Sequence, residues 1–177
     1  DDAPLNVQIH AISGLDFTPL YFKDELVGCE FEDADAKYYS LTVTPDDKTA
    51  SNYDQVKNIF DKSHAILDGL GSDFTETVRT WLFVQDILAW YDQLNKARTL
   101  FFEDHNIFDK LVPASTGIGV MNTDNKALVT NVFAIKPKTD KITIQNASSP
   151  LQGKALEYKS SFSRAIKVIT PDSKRLF

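Results

Sequence analysis

Residues 78–84 read VRTWLFV, and this short segment indicates the fold class. Successive side chains of a strand point to opposite faces of a sheet, and here both faces are largely apolar. Such a strand is typically covered on both sides. Arg79 is its one charged side chain. It could bind an anion, or its stem could pack while its head group reaches solvent or a carboxylate. The pattern alone favours packing.

Helices are predicted on both sides of this strand. Ser51 is a suitable N-cap with Asp54 three residues later, and apolar residues then recur at helical spacing until Gly69 and Gly71. After the strand, Asp86 is expected to cap a second helix. The apolar stripe of this second helix consists of Ile87, Trp90, Tyr91, Leu94, Ala97 and Phe101.

Further strands are predicted from alternation and β-branched content. They cover residues 5–12, 26–31, 37–44, 141–145 and 163–170, and another begins at residue 175. Residues 115–121 and 126–136 flank the sequence NTDN, which predicts a hairpin. The order of elements predicts an α+β fold with a mixed sheet and both helices on one face. The other face then needs a cover, for which another subunit is a candidate.

Composition argues against several functional classes. The chain has 177 residues, with 19 basic and 25 acidic side chains and a net charge of −6, which disfavours nucleic acid as a partner. No apolar run approaches the ~18 residues of a membrane span. Cys29 is the single cysteine, and His10, His64 and His105 lack metal-ligand spacing. We therefore expect no cofactor, no metal site and no membrane partner, and a reducing, cytoplasmic location.

The polar segment at residues 160–164 is the best candidate binding site from the residues alone. It reads SSFSR and follows Glu157, Tyr158 and Lys159. Three hydroxyls and a planar guanidinium suit a ligand that carries a carboxylate. A polar loop that leads into a strand would look the same. No catalytic residue is identified.

The block from residue 53 to residue 135 resembles the Rid/YjgF superfamily, also called endoribonuclease L-PSP. The matching features are Gln55 and LDGLG in the first helix, VRTWLFV, Tyr91 and Asn95 in the second helix, VPAST at 112–116 and VFAI at 132–135. The resemblance implies a chorismate-mutase-like fold. It also implies a homo-oligomer, usually a trimer, with ligand clefts between subunits.

The chorismatase branch is the more similar one. The segments RTW at 79–81, PASTGIG at 113–119, Tyr158 and SFSRA at 161–165 occur there in this order. Chorismatases resemble two fused Rid-like halves and hydrolyse chorismate, releasing pyruvate. The resemblance implies a Rid-like domain at residues 1–145 and the entry to a second half at 146–177. A domain that binds metabolites or oligomerises without catalysis is the alternative, and a deaminase or an endoribonuclease is less expected.

For the site, the chorismatase resemblance implies a small carboxylated metabolite, such as a chorismate-like enol ether. The candidate substrate-binding residues are Tyr158, Ser161, Ser163, Arg164 and Arg79.

Two departures from the family shape these expectations. Rid deaminases carry an arginine in a turn that here reads Pro113-Ala114-Ser115, and a glutamate in the following strand, where this chain has Asn131 and Phe133. Deaminase chemistry is therefore not expected, since a carboxylate clamp needs its cation. The sequence stops at Phe177, early in the second half, which carries the general acid in chorismatases. If the chain is complete, we expect weak activity or none.

Overall fold

The computed structural model describes residues 9, 11–147 and 160–177. Most of the strand predicted at residues 5–12 lies outside them. The elements are β1 (Phe17–Phe22), β2 (Glu25–Glu32), β3 (Ala36–Val43), α1 (Asn52–Gly69), β4 (Thr77–Val84), α2 (Ile87–Asp104), β5 (Ala114–Gly119), β6 (Leu128–Pro137), β7 (Thr143–Asn146), β8 (Ile166–Ile169) and β9 (Lys174–Leu176). Short 3₁₀ turns lie at Phe74–Glu76 and Ile107–Asp109.

The main sheet confirms the predicted fold class. Its six strands run in the order β1-β2-β3-β6-β4-β5, and β4 and β5 form its parallel pair while the other neighbours are antiparallel. Both helices pack on one face of this sheet. Their buried contributions to the shared core are Val56, Ile59, Phe60, Ile66, Leu67, Trp90, Leu94, Ala97, Phe101 and Phe102.

The two helices begin where the sequence predicts, but by different means. Ser51 accepts a hydrogen bond from the Asp54 backbone N–H and donates one to the Asp54 carboxylate. Asp86 precedes α2 in a left-handed conformation (φ 47°) and makes no capping bond with its side chain. The Trp90 indole in the first turn donates to the Gln85 carbonyl at 2.8 Å, which ties this turn to the residue after β4 but caps none of the free N–H groups of the helix. Within the described residues, neither helix is apolar over a length that could cross a membrane.

The predicted hairpin at residues 115–136 is wrong. Asn122 does form a local turn, accepting from the Lys126 N–H and donating to the Lys126 carbonyl. The two flanking strands nevertheless diverge, because β4 lies between them and pairs with β5 on one edge and with β6 on the other. Turn residues identify the turn, but they do not show that a third strand separates its arms.

Two smaller differences concern single strands. Residues 17–22 are not among the strands predicted from sequence, but they form β1, where Pro19 is tolerated because β1 is an edge strand. Strict alternation along residues 78–84 would place Val78 on the same face as Leu82. The pairing of β4 with β6 shifts register between Thr77 and Arg79, and Val78 packs on the opposite face.

The face of the main sheet away from the helices is covered in part by the chain itself. Strands β7, β8 and β9 form a three-stranded sheet. Its side chains Ile166 and Val168, with Ile142 just before β7, join a second core cluster with Val78 and Phe133. The predicted domain boundary between residues 145 and 146 falls inside β7 and stays a prediction. The trimer implied by the resemblance also stays a prediction.

Candidate functional site

A pocket of about 260 Å³ lies between α2 and the edge strand β5. Gly117 allows this arrangement, because a Cβ at that position would lie 3.0 Å from the Ile87 Cδ1 atom. Gly119 is similar, since a Cβ there would lie 3.2 Å from the Ile87 Cγ2 atom. The pocket is lined by Leu82, Ile87, Tyr91, Leu94, Arg98, Ser115, Thr116, Gly117 and Phe162.

Arg98 is the charged group of this pocket, and it is only 3% exposed. Its Nη2 atom donates to the Asn95 Oδ1 atom at 2.7 Å, and its Nη1 atom donates to the Ser115 Oγ atom at 3.4 Å. Its Nε–H group has no hydrogen-bond partner. The guanidinium carbon lies 5.6 Å from the centre of the Phe162 ring.

The electrostatics of Arg98 are unusual for an arginine. Burial lowers the pKa of Arg98 to about 10, although the neighbouring Tyr91 phenol opposes this shift. The group is still a cation at neutral pH. Within the described part of the chain, no carboxylate lies within ion-pair distance of it. Its hydrogen-bond partners Asn95, Ser115 and Tyr91 are all uncharged groups. A buried charge without a counter-charge is costly, so an incoming anion would be favoured here.

Several hydroxyls belong to residues that line the pocket or lie next to lining residues. Ser115 accepts a second hydrogen bond, from the Thr80 hydroxyl at 2.9 Å. Thr99 on α2 shares a hydrogen bond with Ser161. The Ser163 N–H donates to the Pro113 carbonyl at 3.0 Å, and this contact attaches residues 160–165 to the start of β5. The attachment places Phe162 against Arg98.

The residues predicted from sequence are distributed unevenly around this pocket. Ser161 and Ser163 are buried beside it, and the Ser163 hydroxyl has no hydrogen-bond partner. Arg164 is exposed and does not line the pocket. Tyr158 lies outside the described residues. The roles assigned to these residues stay predictions.

Arg79 shows features of both of its interpretations. Its guanidinium carbon lies 5.2 Å from the centre of the Trp81 ring, so the head group also packs, whereas the packing interpretation expected it to reach solvent or a carboxylate. Its Nη2 atom donates to the hydroxyl of Thr116, which lines the pocket. Burial lowers the pKa of Arg79. Arg79 therefore lies on the opposite face of β4 and contacts the edge of the pocket through its hydrogen bond to Thr116.

Sequence reasoning missed Arg98. It lies four residues after Leu94 and three before Phe101, which places it on the buried stripe of α2. A charge at a stripe position was the available signal. It is easily overlooked because long basic side chains normally carry their head groups out to solvent.

Two other pockets lack such a group. In a pocket of about 320 Å³, the Gln55 side chain is fully engaged by the Lys48 and Ala50 carbonyls and the Ala127 N–H. In another of about 440 Å³, the Tyr38 hydroxyl donates to Asp33 at 2.8 Å. Neither has a buried cation without a partner, so the pocket at Arg98 is the candidate site.

No protein-family model matches the sequence, and no curated protein matches it. Several solved structures are similar to the structure of this chain. E. coli TdcF with bound serine aligns over 67% of this chain and 92% of its own, at 15% identity and a TM-score of 0.53. This chain has the YjgF-like fold. The E. coli YjgF gene product aligns over 66% of this chain and 91% of its own, at 20% identity and a TM-score of 0.52.

Yeast Mmf1 is a third structure with the YjgF-like fold. It aligns over 68% of this chain and 99% of its own, at 19% identity and a TM-score of 0.53. Identities this low establish the fold alone. The fold class predicted from sequence is therefore confirmed, whereas the chorismatase branch rests on the sequence resemblance.

Proposed function

We propose that this chain is a YjgF-like domain that binds a small carboxylated metabolite, with the ligand carboxylate on Arg98. One observation carries the proposal: a buried guanidinium faces a pocket and has no carboxylate partner within the described residues. A guanidinium and a carboxylate match in charge and in planar geometry. The bound serine in TdcF, itself a small carboxylated molecule, supports the same class of ligand.

The proposal also accounts for the missing arginine of the turn at residues 113–115. Ser115 stands in that turn, and the Arg98 Nη1 atom lies 3.4 Å from its Oγ atom. A cation is therefore present next to the turn, supplied by helix α2. The geometry differs from a clamp on the turn itself, because Arg98 reaches the pocket from the helix side of the sheet.

Binding of benzoate without binding of benzamide is the expected result for the wild-type protein. The two molecules have nearly the same shape, but benzamide lacks the negative charge that Arg98 needs. Benzoate at millimolar concentration should raise the melting temperature, and benzamide at equal concentration should not, since a ligand that binds the native state stabilises it by mass action. Equal shifts from both, or no shift from benzoate, would contradict the proposal.

Binding is favoured over hydrolysis of an enol ether. Cleavage of a chorismate-like enol ether needs a proton donor near the reacting carbon. The described lining of the pocket contains no aspartate, glutamate or histidine. We therefore expect no release of pyruvate when high concentrations of the protein are incubated with chorismate. Pyruvate formed in proportion to protein concentration would favour the chorismatase function instead.

A further inference from the structure

We infer that the Arg98 pocket selects carboxylates that carry no ammonium group, and so rejects free amino acids. This inference rests on the proposed function and narrows its ligand class. It follows from the hydrogen-bond character of the lining. The Ser115 hydroxyl and the Tyr91 phenol both line the pocket and accept hydrogen bonds from Arg98, so each has its own proton left to donate, and a ligand ammonium group is also a donor.

Ser115 is the first of these groups. A hydroxyl has one proton to donate and two lone pairs that accept. The Ser115 Oγ atom accepts from the Thr80 hydroxyl at 2.9 Å and from the Arg98 Nη1 atom at 3.4 Å. Both lone pairs are therefore in use, and the Ser115 proton is left for another acceptor. This hydroxyl lines the pocket, so a ligand oxygen is the acceptor that fits.

Arg98 adds further donors and no acceptor. A guanidinium carries five N–H groups, and the Nε–H of Arg98 is buried without a partner. The Thr116 hydroxyl already accepts from Arg79, which leaves one lone pair beside its own proton. A carboxylate is an acceptor-only group, so it can satisfy Arg98 and Ser115 together.

An ammonium group next to that carboxylate would meet unfavourable surroundings. It carries three donors and no lone pair, and it would sit near the positive charge of Arg98. The described lining offers no carboxylate to pair with it, and Leu82, Ile87 and Leu94 form apolar walls. The remaining side-chain acceptors of the lining are the hydroxyl oxygens of Thr116 and Tyr91, so the loss of hydration of the ammonium group would be compensated only in part. In this respect the chain would differ from TdcF, whose structure has bound serine.

The test compares three ligands that share a phenyl ring and a carboxylate. Phenylacetate, mandelate and L-phenylglycine differ only in the group on the α-carbon, which is hydrogen, hydroxyl or ammonium. Isothermal titration of the wild-type protein should show phenylacetate and mandelate within about tenfold of each other. L-Phenylglycine should bind at least about 100-fold more weakly, because both desolvation and charge repulsion act against it.

The other outcomes distinguish a failure of the inferred selectivity from a failure of the proposed carboxylate site. If L-phenylglycine binds as well as mandelate, the selectivity is wrong and the carboxylate site stands. If mandelate and L-phenylglycine are both weak, size rather than charge decides, and the inference is again overturned. If none of the three binds while the protein is folded by circular dichroism, the proposed function fails and the inference fails with it.

Discussion

Replacing Arg98 by methionine should abolish carboxylate binding while making the protein more stable. The variant loses a charged anchor, and charge-assisted hydrogen bonds of this kind are worth enough that benzoate affinity should fall about 100-fold or more. Methionine fills similar space without a buried charge. The free energy of unfolding should therefore rise by about 1 kcal/mol, since apolar replacements of buried charges are often stabilising. Titration calorimetry and urea denaturation measure the two effects.

Two other arginines provide the comparison for Arg98→Met. Arg175 in β9 is exposed, so Arg175→Met should leave both benzoate affinity and stability nearly unchanged. Arg164 is the arginine that sequence reasoning placed in the site. If Arg164→Met loses benzoate binding and Arg98→Met keeps it, the anchor is Arg164 and the assignment to Arg98 is wrong.

The pH dependence of Arg98→Met gives an independent check. The pKa of Arg98 is lowered to about 10, below its value in the unfolded chain, so the unfolded state holds the proton more tightly. The charged Arg98 therefore lowers the free energy of unfolding by a constant amount at pH values below about 10. This destabilisation decreases as the pH rises above about 10. The stability difference between variant and wild type should stay constant from about pH 6 to 9. A difference that vanishes within this range would point to a cause other than the charge.

Gly28→Ala should be among the most destabilising single substitutions in the main sheet. Gly28 has φ of +154°, and a Cβ there would lie 2.0 Å from the Ser40 carbonyl oxygen and 2.9 Å from the Leu41 Cα atom. Both obstacles are backbone atoms of the paired strand β3, which cannot move aside as a flexible side chain can. We expect a loss of about 3 kcal/mol or more and a drop in melting temperature of about 10 °C.

Gly69→Ala is the matched control for this prediction. A Cβ at Gly69, at the end of α1, would meet no atom within 4 Å. Alanine also restricts the unfolded chain more than glycine does, so this variant should be neutral or more stable by about 0.5 kcal/mol. A Gly28→Ala variant that melts within about 2 °C of the wild type would contradict the prediction. It would mean that β2 and β3 can move apart at this point to accommodate the Cβ.

The parts of the fold that sequence could predict are those determined by local pattern. Residues 78–84 alternate with both faces apolar, and β4 is indeed paired on both edges and packed on both faces. The capping serine and the apolar stripes located both helices. Pairing partners are different, because the turn at residues 122–125 carries no information about a strand inserted between its arms. Edge strand β1 escaped notice because Pro19 is a loop signal in most contexts.

The candidate site was less predictable because its residues come together only in three dimensions. Ser161 and Ser163 were singled out for their hydroxyls, and both are buried on either side of Phe162 in sequence, whose ring lines the pocket, but neither is itself a lining residue. Arg98 is 63 positions before Ser161 and looks from sequence like an ordinary helix residue. What sets it apart is burial without an ion-pair partner, a property of tertiary packing. The absent arginine of the turn at residues 113–115 was visible in sequence, but its substitute on α2 was not.

The contact between Phe162 and Arg98 has a consequence for cooperativity within the molecule. Phe162 belongs to the segment that enters the small sheet, whereas Arg98 belongs to a helix of the main layer. Both residues line the pocket, so a molecule bound there would contact Phe162 and Arg98 together. Local opening of β8 and β9 would then remove one wall of the site, and occupancy would suppress that opening by linkage. A ligand bound there would thus act as a non-covalent crosslink between two parts of one chain.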